Sequence, residues 1–225
     1  MTKKLVIPRI AHPILWLVLS LVITLGIGAW GLLYPDARSS QITINIFVNE
    51  NGNRVLDLLA QGVEKFFSPA YAIGLTVVIA LIVWIFSKSL WTAVGFGLAV
   101  AAAWLPVEIF KLLFHENRPD PTQLINIVVP FQADTSFPSG HVSFAIGLAY
   151  ALLLLVGKGK PKNFLIAVGI VFVVVVAYAR VYAGVHFVSD TVGSVFASVI
   201  GILIFNQLWP VITRFLTKQK GRRSK

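Results

Sequence analysis

The sequence predicts an all-α polytopic membrane protein, a bundle of six transmembrane helices, and two observations carry that reading. Of the 225 residues 57% are apolar and only 12% charged, with a mean hydropathy of +0.83. A soluble globular domain carries about 25% charged residues, so much of the usual solvating surface is missing. Six apolar runs recur along the chain, each near the roughly 20 residues that a helix needs to cross about 30 Å of hydrocarbon. A helix also satisfies its own backbone polar groups within lipid. These features exclude an ordinary cytosolic enzyme, a disordered tail and a nucleic-acid-binding domain. The absence of cysteine excludes disulfides, thiol catalysis and thiolate metal sites.

The first span is expected at Ile14–Tyr34. Lys3, Lys4 and Arg9 precede it and Gly26-Ile27-Gly28-Ala29 holds small residues, as in a secretory leader. Its length is long for a cleaved apolar region, so it reads as an uncleaved anchor. An outer segment follows, at about residues 41–67. Alternation of Ile42, Ile44 and Ile46 predicts a short extended stretch. Asn49-Glu50-Asn51-Gly52-Asn53 lacks the spacing and terminal Glu of a calcium loop and reads as a turn with a helix cap. Val55, Leu58, Leu59, Val63, Phe66 and Phe67 then recur at helical spacing with charged residues among them. That pattern fits an amphipathic helix, either lying on the outer membrane surface or packed on the outer end of the bundle.

The second and third spans are expected at Pro69–Phe86 and Leu90–Phe114. The fourth, His141–Val156, is short and is extended back to Pro138, since proline is tolerated in a first helical turn. Phe164–Tyr182 and Val188–Trp209 complete the set. Trp16, Trp30, Tyr34, Trp84, Trp91, Trp104 and Trp209 lie near span ends, where interfacial aromatics are expected. With no internal repeat or low-complexity segment, residues 1–225 read as one domain.

Charge placement gives the orientation. The net charge is +10, from 19 Lys+Arg against 9 Asp+Glu. If the N-terminus is cytoplasmic, the inner segments hold Lys3, Lys4, Arg9, Lys88, Lys158, Lys160, Lys162, Arg214, Lys218, Lys220, Arg222, Arg223 and Lys225. All nine acidic residues then fall on the other side. The excess of inner cations places both termini in the cytoplasm of a plasma-membrane protein.

Charged groups at membrane depth are expensive and demand a reason. Lys111 sits near the outer end of the third span, and Arg118-Pro119 follows. Pro138-Ser139-Gly140-His141 opens the fourth span, Arg180 ends the fifth, and His186 and Asp190 begin the sixth. Under this topology all of them gather at the extracytoplasmic end of the bundle. Three cations, Lys111, Arg118 and Arg180, suit the oxygens of a transferring phosphoryl group. Ser139-Gly140 at a helix start adds a hydroxyl and backbone N–H groups. His186 and Asp190, four apart, share a helical face. The carboxylate would fix one imidazole nitrogen and leave the other as nucleophile. His141 remains to protonate the leaving oxygen. Each piece alone has an ordinary explanation, since span-end cations snorkel and Ser-Gly after proline often just starts a helix.

The joint pattern is more specific. Lys111 with six residues before Arg118-Pro119, then Pro138-Ser139-Gly140-His141, then Arg180 with five residues before His186 and three more before Asp190, resembles the signature of the type 2 phosphatidic acid phosphatase superfamily. That superfamily includes membrane lipid phosphatases and soluble vanadium haloperoxidases. The motifs span residues 111–190 and the six-span layout extends the likeness over nearly the whole chain. The resemblance implies that His186 forms a phosphohistidine intermediate supported by Asp190, with His141 as the acid. It implies that Lys111, Arg118, Ser139, Gly140 and Arg180 form the phosphate pocket, and that no metal or other cofactor is required. One departure is visible: Ala179 stands where the family often has Ser. His115, Glu116, Asn117 and Asp120 read as exposed loop polarity, and His12 has no evident role.

The leading expectation is a membrane lipid phosphatase whose substrate is a lipid phosphate or diphosphate: undecaprenyl diphosphate, phosphatidylglycerophosphate or phosphatidic acid. Its partners are that lipid and the bilayer, with no nucleic acid. A phosphotransferase using the same site, and a non-catalytic lipid-binding or transport protein, are the competing readings. Oligomeric state is not legible.

Overall fold

The computed structural model describes residues 5–156 and 160–223. Lys3, Lys4, Lys158 and Lys225, counted above as cytoplasmic cations, lie outside the described residues. The described elements are α1 (Pro13–Leu33), α2 (Pro35–Ser39), α3 (Ile42–Glu50), α4 (Arg54–Phe67), α5 (Pro69–Ser87), α6 (Leu90–Phe114), α7 (Gly140–Leu154), α8 (Lys160–Tyr182) and α9 (Val188–Arg223), with a 3-10 turn at Pro121–Gln123. Proline occupies the first turn of α1, α2 and α5, where its missing N–H removes no helical bond. Ser89 caps α6 by accepting from the Thr92 N–H, 3.3 Å away.

Among the described residues five helices, α1, α5, α6, α8 and α9, are long and apolar enough to cross a membrane. The fourth run forms α7, apolar but only 15 residues long, or about 22 Å. It begins at Gly140, not at Pro138, with Ser139 in the N-cap position. The sixth run continues well past Trp209, to Arg223. About half of the apolar window of α6 and of α9 is buried, against about a fifth in α1, α5 and α8. The central layer is therefore α6, α7 and α9, and the flanking helices turn apolar side chains such as Leu15, Val77 and Val171 outward, as lipid contact requires.

Small residues let the central backbones approach. Gly147 of α7 lies against the Val100 carbonyl, and Gly201 of α9 lies against the Ala102 carbonyl and the Pro106 ring. One core cluster (Phe96, Phe144, Phe205, Trp209) fills the end of the bundle near the N-terminal segment, where the Val6 N–H donates to the Leu154 carbonyl at 2.8 Å. A second (Val107, Phe110, Phe114, Phe137, Ile200) supports the opposite end.

The extended stretch expected around Ile42 is instead helical, α3. Asn45 and Asn49, one turn apart, override the isoleucine alternation by making buried tertiary bonds. Asn45 Nδ2 donates to the Val181 and His186 carbonyls at 2.7 and 3.0 Å. Asn49 Nδ2 donates to the Asn126 carbonyl at 2.9 Å and its Oδ1 accepts from the Asn126 N–H. A helix sets these two amides one turn apart on a single face, close enough to reach neighbouring carbonyls together. The turn at residues 49–53 matches expectation: Asn53 Oδ1 caps α4 by accepting from the Val55 and Leu56 N–H groups. Of the two dispositions open for α4, packing on the bundle end is the one found. Ala60 and Val63 are buried against α7, α8 and the chain that follows α8, while Val55, Leu58 and Phe66 remain exposed.

These contacts assign opposite signs to two glycine replacements. Gly201→Ala sets a methyl group on the α6 backbone, and such overpacking costs about 1–3 kcal/mol. Gly62→Ala in α4 meets nothing within 4 Å and gains about 0.5–1 kcal/mol from helix propensity. Thermal unfolding in detergent is expected to show a lower midpoint for the first and a higher one for the second.

Candidate active site

The ends of α6 and α8 meet the starts of α7 and α9 at the end of the bundle remote from the N-terminal segment, and α2–α4 cover that end. His186, in the turn between α8 and α9, is fully buried. Its Nδ1 lies 3.4 Å from Asp190 Oδ2, while its Nε2 lies 3.1 Å from the Arg118 guanidinium. A guanidinium can only donate, so Nε2 is the acceptor and the ring proton sits on Nδ1, facing the carboxylate. Burial pushes His186 well below the usual histidine range, and the nearby Arg118, Arg180 and Lys111 push it further. The ring is thus neutral near pH 7, with its Nε2 lone pair turned toward Arg118.

Asp190 is held from several directions. Its Oδ2 accepts from Ser136 Oγ at 2.5 Å and from the Phe187 N–H at 2.8 Å, and its Oδ1 accepts from Arg38 at 3.0 Å. The Asp190 main chain is tied to α7 through Ser194, whose hydroxyl donates to the Asp190 carbonyl and accepts from the Ser139 N–H at 2.7 Å.

The cations are neutralised by carboxylates from elsewhere in the chain. Asp134 bridges Lys111 Nζ and Arg118 Nη2, each at 2.7 Å. Its burial opposes ionisation, but the bonds and charges of Lys111 and Arg118 outweigh that and hold it at about 2. Glu64 of α4 accepts from Arg180 Nη1 and from Gln132 Nε2, both at 2.5 Å, and lies 3.9 Å from His141 Nε2. Among the described residues, Ser139 Oγ, His141 Nε2 and Arg180 Nε are buried with no hydrogen-bond partner. Such atoms are costly to leave bare, and a hydroxyl, an imidazole nitrogen and a guanidinium N–H are suited to meet an oxyanion. A Cβ at Gly140 would come within 3.3 Å of Trp104 Nε1, so glycine also keeps the start of α7 close to α6.

All eight residues singled out from the sequence, Lys111, Arg118, Ser139, Gly140, His141, Arg180, His186 and Asp190, therefore lie at this one end. Ala179 sits in an apolar cluster with Val63, Val142, Ala145 and Val176. Glu116 corrects the sequence reading. It is buried and ion-paired with Arg38, not exposed loop polarity. Burial raises it to about 7, although Arg38 pulls the other way. Asp120 is exposed as expected and caps the 3-10 turn through the Thr122 N–H. Arg38, Glu64, Asp134 and Ser136 were not singled out. Their only sequence signal is that they are polar groups in the segments that connect the apolar runs.

Residues 90–214 match the PAP2 superfamily. The chain is 29% identical over 157 residues to undecaprenyl-diphosphatase BcrC of Bacillus subtilis, covering 68% of this chain and 75% of that one. It is 29% identical over 192 residues to an undecaprenyl-diphosphatase of Sulfolobus acidocaldarius, covering 80% of each. The fold is similar to that of the crystal structure of a transmembrane PAP2-type phosphatidylglycerolphosphate phosphatase from B. subtilis. That likeness has a TM-score of 0.64 at 22% identity, over 96% of this chain and 98% of the other.

The Asp134 bridge sets an expectation about anions. Because this carboxylate stays ionised across pH 4–9, it competes with any phosphate for Lys111 and Arg118. Asp134→Asn removes the competitor and is expected to tighten inorganic phosphate binding about two- to fivefold, the value of a half-exposed ion pair. Calorimetric titration of the purified protein checks this.

Proposed function

From the premise that this chain belongs to the PAP2 superfamily, we propose that it is an integral membrane phosphatase of lipid phosphates, acting through a phosphohistidine on His186. The observation that carries the reading is the lone pair of His186 Nε2, presented beside Arg118 in a buried setting that also holds the unpartnered Ser139 Oγ, His141 Nε2 and Arg180 Nε. The undecaprenyl-diphosphatase relatives favour a polyprenyl diphosphate as substrate. Phosphatidylglycerophosphate and phosphatidic acid present the same terminal phosphate.

In the proposed reaction Lys111, Arg118 and Arg180 hold the non-bridging oxygens, helped by Ser139 Oγ and the Gly140 N–H. His186 Nε2 attacks phosphorus, the bond to the lipid-side oxygen breaks, and His141 gives that oxygen a proton. The positive charge that develops on the His186 ring is met by Asp190. Water then attacks the phosphohistidine and gives its proton to His141, the N–P bond breaks, and inorganic phosphate leaves. Charge neutralisation is assigned to protein cations in place of a metal. The acidic groups nearest the site support this, since Asp134, Glu64, Glu116 and Asp190 are each engaged by Lys or Arg.

We read residues 1–225 as one functional unit, because α2 and α4, which precede the matched region, bring Arg38 and Glu64 to the site. The topology proposed is six spans, with α7 as the short one, both termini cytoplasmic and the site on the outer face of the plasma membrane. Arg9, Lys88, Lys162 and Arg214 fall toward one end and the acidic residues toward the other, which supports it.

Purified protein is expected to release phosphate from at least one of these three lipids with EDTA present. His186→Ala should lower that rate by about 10³-fold or more. Release from none of them would overturn the reading, and loss of release on adding EDTA would overturn metal independence. The chain has no cysteine, so single-cysteine labelling can test the topology. In intact cells a membrane-impermeant maleimide is expected to label Asp120→Cys and not Lys162→Cys.

A further inference from the structure

We propose that Arg38 is a positioning residue for the reacting histidine: from α2 it fixes Asp190 and, shared with Glu116, sets the negative charge that His186 feels. The inference rests on the reading of His186 as nucleophile. Arg38 lies before the matched region, and no motif marks it.

The geometry leaves Arg38 almost no freedom. It is 6% exposed. Nη2 donates to Asp190 Oδ1 at 3.0 Å, Nη1 donates to the Asn117 carbonyl at 2.8 Å, and Nε pairs with Glu116 Oε2. Its guanidinium carbon stands 4.5 Å from the centre of the Phe187 ring. Gln41 fastens the same turn, accepting from the Ser189 N–H and donating to Ser189 Oγ, both at 3.0 Å. The α2 end thus grips residues 187–190, which carry both members of the His–Asp pair.

Asp190 depends on this grip. Its Oδ2 is taken by Ser136, the Phe187 N–H and His186, so Arg38 is the cation that matches its charge. A buried carboxylate stripped of its cation either takes up a proton or draws harder on the nearest positive group. The first loosens the His186 Nδ1–H contact. The second favours the imidazolium, which cannot attack phosphorus.

Glu116 makes the control adjustable. One guanidinium serves two carboxylates, and Glu116 Oε1 is buried without a hydrogen-bond partner. A Cβ at Gly31 of α1 would collide with the Glu116 carboxyl group, so α1 presses on it from behind. When Glu116 is neutral, the whole charge of Arg38 belongs to Asp190. When it is ionised, that charge is divided. Other groups also act on His186: Lys111 of α6, Arg118 and Asp134 of the α6–α7 loop, His141 of α7 and Arg180 of α8. They are constant across the Arg38 and Glu116 variants compared below.

The test is the pH profile of kcat/KM for phosphate release by the full chain in detergent, comparing wild type with Arg38→Gln, Arg38→Lys, Glu116→Gln and His186→Ala. Arg38→Gln leaves Asp190 unmatched and raises the His186 pKa. The acid limb is expected to move up by about one pH unit, a tenfold loss on that limb. Glu116→Gln holds that site neutral, so it should leave the acid limb in place and abolish the inflection near pH 7 that Glu116 ionisation puts on the wild-type profile. Arg38→Lys keeps the charge and loses the fork, so it should lower kcat while holding the limb near its wild-type place. A merely structural role would scale the amplitude at all pH values and leave the limb fixed in every variant, which would overturn the inference. If Arg38→Gln does not fold, loss of the inflection near pH 7 in Glu116→Gln decides it, and its persistence overturns the inference. Wild-type release by His186→Ala would instead sink the nucleophile assignment itself.

Discussion

Arg180 and Asp190 are ions with no solvent contact at the end of an apolar bundle, and the surrounding structure is arranged to keep them matched. Taking either from water costs several kcal/mol, recovered only when a counter-ion and further hydrogen bonds meet it in good geometry. The partners come from far along the chain. Arg38 of α2 reaches Asp190 of α9, and Glu64 of α4 reaches Arg180 of α8. Apolar packing alone discriminates poorly among arrangements of oily helices, because lipid is as apolar as the helices are. Paired charges are far less tolerant. Charge matching therefore acts as the device that registers α2 and α4 on the helices carrying the motifs.

The same requirement explains why two kinds of carboxylate surround the site. Asp190 and Glu116 are buried and share Arg38, so they belong to the frame. Asp134, with a side chain more than half exposed, sits on Lys111 and Arg118 from a loop. Glu64, less exposed, sits on Arg180 from a surface helix. Clustered cations with no anion would repel one another at the edge of a low-dielectric medium. Resident carboxylates remove that repulsion, and a phosphate group offers the same cations more oxygens and more charge. The frame carboxylates hold the turn that carries His186, and the other two keep the cations clustered.

Long apolar helices and the gathering of the motif residues were legible from sequence for a simple reason. Hydropathy is a local property summed over a window, and Lys111, Arg118, His141, Arg180, His186 and Asp190 stand at fixed spacings within or beside those windows. What escaped depends on distance in space. Nothing in Pro35–Ser39 marks Arg38 as buried, because its burial is caused by Glu116, Asn117, Phe187 and Asp190. Glu116 was misjudged for the reciprocal reason, as its neighbours in sequence are polar while its neighbours in space are Arg38 and Gly31. The isoleucine alternation in α3 was a true local signal overruled by two buried asparagines.

This division has a physical consequence for how the chain is built. The proposed reacting groups all lie within residues 90–214, on helices that pack through close backbone contacts and so resist displacement. The charges that act on them through Arg38 and Glu64 sit on short or amphipathic helices resting on the bundle end, where fewer contacts oppose movement. Geometry is thus fixed by the core, and electrostatics is adjusted from the cover. Burial and the motif cations Arg118, Arg180 and Lys111 thus depress the proton affinity of His186, and Arg38, paired with Asp190 and Glu116, adds a contact to the same site from outside the motifs.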